Sequence, residues 1–348
     1  MNSKAKVAVA LSGGVDSSTV AHILQHQGYE VVGITAKMID DEHFEQVVKN
    51  AKSVADKLGI EHFVLDLSQK FKENVIDYFE HSYKCGYTPN PCIVCNKLIK
   101  WGEILKFALE EIKVDYIATG HYAKMRHDDD RYLLYPSTDT KKDQLYYLFD
   151  LSQEQLSKTL FPIGNLTKEQ VKTIAFEHDL PSKSAKESQD ICFITKPMTT
   201  KQYIMEKLGT EEGDLILEAT GENMGTHSGS YQYTIGQRKG IGVSYSEPLY
   251  VTKIDPETNT VYLGKEEDVM RKHVVAEKIN WHDDRYQLPS EAMVKIRYNM
   301  EAKKALLTQV DDKLHITFYE PVLAPARGQA AVFYDFRDGH LLGGGWIM

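Results

Sequence analysis

Val7-Ala8-Val9-Ala10-Leu11-Ser12-Gly13-Gly14-Val15-Asp16-Ser17-Ser18 is the stretch that decides the fold of this chain. An apolar β-type run ends at Leu11, two glycines follow, and a helix-like run extends from Ser17 to Gln27. Glycines let backbone amides approach an anion closely, the helix N-terminus favours negative charge, and serine hydroxyls add donors, so the segment reads as a phosphate cradle. The plain alternative is a serine and glycine helix cap with no ligand. The lysine-bearing Walker loop and the dinucleotide G-x-G-x-x-G fingerprint are both absent, which disfavours a GTPase or a dehydrogenase. Asp16 is placed to help hold Mg2+.

Working outward, Gly28 precedes a second strand from Glu30 to Thr35. Phe44, Val47, Val48, Ala51, Val54, Ala55 and Leu58 then recur at helical spacing, and His62 to Leu67 reads as a third strand. This alternation predicts an α/β fold: a parallel sheet covered by helices, with ligands gathered at the strand C-termini. Leu98, Trp101, Leu105, Ala108 and Ile112 mark a further amphipathic helix, after which Val114 to Ala118 forms a strand ending in Thr119-Gly120-His121. Thr167-Lys168-Glu169-Gln170 has the form of a capping box and opens a helix carrying Val171, Ile174, Ala175 and Leu180. Near residue 208 the pattern turns to short strands at Leu249 to Ile254, Thr260 to Leu263, Val294 to Tyr298, Leu314 to Tyr319 and Ala330 to Tyr334. The expected division is residues 1–208 as the nucleotide-handling domain, 209–268 as a small β-rich domain, and 269–348 as a C-terminal β-barrel.

Composition narrows the class. The chain has 348 residues, 42% hydrophobic and 26% charged, with a net charge of −9. No apolar run approaches the roughly 20 residues of a membrane span, and the first residues do not resemble a signal peptide, so a cytoplasmic location is expected. The negative charge argues against a general nucleic-acid coat but allows a local basic surface. Four cysteines in a chain of this length are not a disulfide framework.

Two cysteine segments carry chemistry. Thr88-Pro89-Asn90-Pro91-Cys92-Ile93-Val94-Cys95-Asn96 precedes a helix and places Cys95 near its N-terminus, where a thiolate is expected to be stabilised. Ser188-Gln189-Asp190-Ile191-Cys192-Phe193 follows Lys183 and Lys186, which are expected to lower the Cys192 pKa. A cysteine carrying sulfur as a persulfide needs a second thiol to attack it, and two separated cysteines suit that exchange. Cys85 reads as a packing residue, and Cys92-x-x-Cys95 alone is half of a closed zinc site.

The glycine-serine loop resembles the pyrophosphate loop of the ATP pyrophosphatases (the PP-loop, adenine nucleotide α hydrolase-like superfamily), which adenylate a carbonyl oxygen and release pyrophosphate. Further stretches fall in a matching order: Ala118-Thr119-Gly120-His121-Tyr122, Lys142-Asp143-Gln144, Leu160-Phe161-Pro162-Ile163-Gly164 and Thr234-Ile235-Gly236-Gln237-Arg238-Lys239-Gly240. With them the whole chain resembles the bacterial tRNA-specific 2-thiouridylases. The resemblance implies that Ala10, Leu11, Ser12, Gly13, Gly14, Val15, Asp16, Ser17, Ala36 and Gly120 surround ATP. It makes Cys95 the nucleophilic partner and Cys192 the persulfide carrier, the two closing into a transient disulfide. Asn90, Pro91 and Cys92 would flank the base, and His121, Lys142, Asp143, Gln144, Arg297, Tyr298 and Gln329 would contact tRNA. Alternation along a strand would instead put Arg297 and Tyr298 on opposite faces, and Thr234 to Gly240 is either a polar turn or a tRNA-facing loop. The family commonly has an aspartate where this chain has Cys92. That leaves open a [4Fe-4S] cluster on Cys92, Cys95 and Cys192 in place of the two-cysteine relay. The implied partners are tRNAs for Lys, Glu and Gln and a cysteine desulfurase or sulfur-relay protein.

Overall fold

The computed structural model describes residues 4–185, 191–195 and 197–348. The chain forms two compact units. One holds the chain through Val75, the stretch beginning at Cys92, and Arg337–Leu341; the other holds Ile76–Pro91, the stretch ending at Phe336, and Leu342–Met348.

In the first unit β1 (Lys6–Ala10), α1 (Val15–His26), β2 (Glu30–Lys37), α2 (Glu42–Leu58) and β3 (Glu61–Asp66) follow one another as read from the sequence. The sheet is parallel throughout, in the order β3, β2, β1, Tyr116–Ala118, Thr159–Leu160. Val7, Ala8 and Val9 are buried on both faces, which is why β1 is a continuous apolar run rather than an alternating one. Strand order turns back at β1, so the loops leaving β1 and Tyr116–Ala118 meet at the switch point where open α/β sheets bind ligands.

Helices cover this sheet by burying one stripe each. Val20, Ala21 and Leu24 of α1 pack with Val171 and Ala175 of the Lys168–Glu177 helix, and α2 places Ala51, Val54 and Ala55 on Leu11. Asp41 accepts a hydrogen bond from the Phe44 amide to start α2, and Gly59 ends it at φ +65. The helix opening at Pro91 runs through Cys95 and continues in wide π-type turns over Asn96–Ile104 and Ala108–Ile112, where the periodicity predicts an ordinary α-helix.

The second unit contains a four-stranded sheet of Gly213–Leu217, Glu222–His227, Tyr250–Asp255 and Thr260–Gly264, and a closed six-stranded barrel. Met270–Trp281, Ser290–Lys295, Lys303–Val310, Lys313–Leu323, Ala330–Tyr334 and Leu341–Ile347 are the barrel strands, and their inward residues, such as Val294, Leu307, Ile316 and Phe333, are fully buried. The expected strand at Val294 to Tyr298 ends at Lys295. Arg297 and Tyr298 therefore lie in the following turn, and the two-faced alternation does not apply to them.

Candidate active site

The cradle is built by the turn between β1 and α1. Gly13 has φ +72, and a Cβ there would lie 2.6 Å from Asn50 Cβ and 2.7 Å from the Ala51 amide nitrogen, so α2 passes too close for any side chain. Gly14 is the N-cap of α1 and brings no side chain to its free amides, which leaves the positive end of a 12-residue helix facing the loop. Ser12 Oγ and Ser17 Oγ lie 3.2 Å apart, and Ser18 Oγ donates to the Gly14 carbonyl at 2.8 Å. From the neighbouring strand, Gly120 closes on α1: a Cβ there would sit 3.0 Å from Asp16 Cβ. Ala36, next to last in β2, lies at the same C-terminal end of the sheet and is 8% exposed. These residues fit a nucleotide's phosphates: the position 13 cradle excludes a Cβ, and the donor set is backbone N–H and hydroxyl.

Asp16 does not fit the magnesium role. Both its carboxylate oxygens accept from Lys168 Nζ at 2.7 Å, and Oδ1 also accepts from the Tyr122 hydroxyl at 2.9 Å. An ammonium already occupies the cation position. Lys168 is held in turn by its buried place at the start of its helix, where its amide donates to Asp139 Oδ2 at 3.0 Å. Sequence reasoning missed Lys168 and Tyr122, which lie 152 and 106 residues from Asp16. The only local signal was the position of Lys168 directly after the Thr167 cap.

The helix carrying the first cysteine pair is pinned at several points. Asn96 Nδ2 donates to the Tyr147 carbonyl at 3.0 Å, Lys97 pairs with the buried Asp150 at 2.8 Å, and Trp101 Nε1 donates to Thr159 Oγ1 at 2.7 Å. Cys92 is exposed, and Cys95 is buried at 7% exposure. Burial pushes the Cys95 thiol up to about 11, and the Lys100 ammonium offsets only part of this. The expectation of a thiolate stabilised by the helix N-terminus is therefore overturned: desolvation outweighs the dipole. Cys192 is exposed and belongs to the second unit. Lys183, expected to lower its pKa, is instead paired with Asp179, and Lys186 lies outside the described residues, as do Ser188, Gln189 and Asp190. Among the described residues no cysteine is joined in a disulfide.

The residues expected to touch RNA also make contacts within the chain. His121 is buried, stacks near Trp101 with ring centroids 5.4 Å apart, and meets Thr119 Oγ1 at 2.9 Å; burial holds it neutral, well below the ordinary histidine range. Gln144 Oε1 accepts from the Tyr122 amide at 3.0 Å and braces the turn there, Asp143 accepts from the Ser137 amide at 2.8 Å, and Lys142 is half-buried. In the second unit Arg297 Nη2 donates to the carbonyls of Ile235 and Ala324 at 2.9 and 2.6 Å, fastening the Thr234 to Gly240 turn. Gln329 Nε2 donates to the Thr88 carbonyl at 2.8 Å, and the Thr88 amide donates to Arg327 O at 2.8 Å, which holds the segment leading to Asn90 and Pro91. Arg271, His273, Lys313, His315 and Arg327, none singled out from the sequence, line one groove of the barrel.

Among the described residues no helix is long and apolar enough to cross a membrane. Residues 5–196 match the family described as tRNA methyl transferase HUP domain, 201–265 that described as tRNA methyl transferase PRC-barrel domain, and 271–347 that described as aminomethyltransferase beta-barrel domain. The tRNA-specific 2-thiouridylase MnmA 1 of Clostridium botulinum strain Hall is 42% identical over 358 residues, covering 99% of each chain. The tRNA-specific 2-thiouridylase MnmA of Rippkaea orientalis is 41% identical over 98% of this chain and 99% of its own, and that of Clostridium kluyveri 42% identical over 98% and 99%. With a phosphate cradle at the switch point and a pinned cysteine helix in the same unit, the chain belongs to the family of tRNA-specific 2-thiouridylases.

Proposed function

We propose that the chain replaces the 2-oxygen of the wobble uridine, position 34 of tRNA, with sulfur, converting ATP to AMP and pyrophosphate. The observation that carries this reading is the side-chain-free turn at Gly13 and Gly14 opening onto the amides of α1. ATP supplies the adenylyl group that makes the uridine oxygen a leaving group. Ala10 to Ser17, Ala36 and Gly120 surround the nucleotide, with the loop amides and the Ser12 and Ser17 hydroxyls stabilising the departing pyrophosphate. Lys168, held on both Asp16 oxygens, sets a positive charge beside the cradle. Asp16, bridged by Lys168 and Tyr122, is not a magnesium ligand in this arrangement.

Cys192 brings the sulfur as a persulfide. Its terminal sulfur bonds to uridine C2 as AMP leaves; Cys95 then attacks the Cys192 sulfur, the sulfur–sulfur bond breaks, and a Cys95–Cys192 disulfide remains for reduction. Cys95 must first lose the proton that burial retains, and Lys100 is the cation that lowers this cost. His121, Asp143, Gln144, Arg297 and Gln329 position the turns that meet RNA. Asn90, Pro91 and Cys92 border the flipped base, and Lys142 and Tyr298 contact the tRNA. The substrates are tRNAs for Lys, Glu and Gln, with a cysteine desulfurase or relay protein as sulfur source. A methyl-transfer reading would leave the phosphate cradle and both cysteines without a task.

The test is thiolation of unmodified tRNA by anaerobically purified protein with ATP, comparing metal-free and cluster-reconstituted samples beside Cys192→Ala. Metal-free product from a persulfide donor, lost in Cys192→Ala, is the expected result. Product only with a cluster would overturn the cysteine relay, and no 2-thiouridine under any condition would overturn the function.

A further inference from the structure

Three imidazoles meet at the end of α1 opposite the phosphate cradle. His22 and His26, four residues apart, share a helix face, and His178 caps the C-terminus of the Lys168–Glu177 helix. Ring centroids lie 4.0 Å apart for His22 and His26, 4.0 Å for His22 and His178, and 5.5 Å for His26 and His178. One ring nitrogen from each lies within 4.8 Å of the other two. His22 is buried and the other two are exposed. Both helices end here, so the negative ends of two helix dipoles lie beside the cluster. The adjacent carboxylate, Asp179, is paired with Lys57 and Lys183 and is committed elsewhere.

We propose that His22, His26 and His178 form a binding site for a first-row divalent cation of the zinc class. Burial and the two neighbouring rings hold His22 at about 4, so it stays neutral at physiological pH, the form that ligates metal. His26 Nδ1 lies 3.1 Å from the His22 carbonyl, which directs Nε2 away from the helix. Nitrogens bound tetrahedrally to zinc lie about 3.4 Å apart, so a metal would draw together rings whose nitrogens already lie within 4.8 Å, and three histidines leave the fourth position to water. The site lies outside the sulfur chemistry. It joins the C-termini of the same two helices whose N-termini are joined by Asp16 and Lys168.

The test is titration of the full chain with Zn2+ against a chromophoric chelator, in wild type, His26→Ala and His178→Ala, with Co2+ spectra of the wild type. Both substitutions are at exposed positions and leave the core intact. One tight equivalent is expected, weakened about tenfold or more in each variant, with a cobalt spectrum lacking a thiolate charge-transfer band. Absent tight binding, unchanged affinity in the variants, or a thiolate band on that equivalent would each overturn the site.

Discussion

Lys168 and Cys95 are the residues whose surroundings say most. Lys168 bridges both oxygens of Asp16 from a largely buried position, so truncation leaves that carboxylate uncompensated at the cradle. Lys168→Ala should lower tRNA-dependent pyrophosphate release by about 10²-fold or more, the scale of losing one preorganised charge partner, and Lys168→Arg should retain part of it; equal rates in both would remove Lys168 from the mechanism. For Cys95 the expected outcome concerns reactivity. With the thiol pushed up to about 11, alkylation at neutral pH should reach the exposed Cys192 before Cys95, with Cys92, accessible but also pushed up by burial, in between, and the Cys95 rate should keep climbing with pH up to about 11. Peptide mapping after iodoacetamide would check the order, and Cys95 labelled first would refute it. The sequence made the cysteine pair and the glycines legible because their signals are local. It could not show that Cys95 is desolvated, since burial is set by residues such as Tyr147 and Thr159 that receive the helix far along the chain.

Elements were legible where period and caps agreed. The Thr167 capping box is present in full, with Thr167 Oγ1 accepting from the Gln170 amide and Gln170 Oε1 from the Thr167 amide. Thr167→Ala should cost about 1 kcal/mol of stability and, because Lys168 is the next residue, reduce activity further than matched destabilisation elsewhere; an activity loss no greater than that control would uncouple the cap from the cradle. Less legible were strand ends and helix type: Arg297 fell outside its expected strand, and the wide turns after Cys95 are not what the periodicity predicts. Helix ends also govern a pH effect. His22 is held at about 4 against an ordinary 6.5, so between these values the unfolded chain takes up a proton that the native state refuses. Stability should therefore fall as pH drops from 6.5 towards 4. Melting temperatures across that window should flatten in His22→Gln, and an unchanged slope would assign the effect to other groups.

For the molecule as a whole, alternation of strand and helix announced the parallel sheet, and the later run of short strands announced a β-rich second half. Net charge pointed away from RNA, yet the barrel groove gathers Arg271, Lys313 and Arg327 with two histidines. A total charge cannot reveal such clustering, because it takes the strand pairing of the closed barrel, with Arg271 opposite Val322, to bring residues 271 and 327 together. Arg271→Ala with Lys313→Ala should weaken tRNA binding and flatten its salt dependence by about one unit of slope per lost phosphate contact, leaving ATP binding unchanged; a salt slope equal to wild type would exclude the groove as an RNA surface. That closure also sets an order of events during synthesis. Leu341–Ile347 is the strand that pairs back onto Met270–Trp281 and seals the cylinder. Until Leu341–Ile347 emerges and pairs, the other five strands can make only an open sheet with two unpaired edges, the state most exposed to chaperones and to association with other nascent chains.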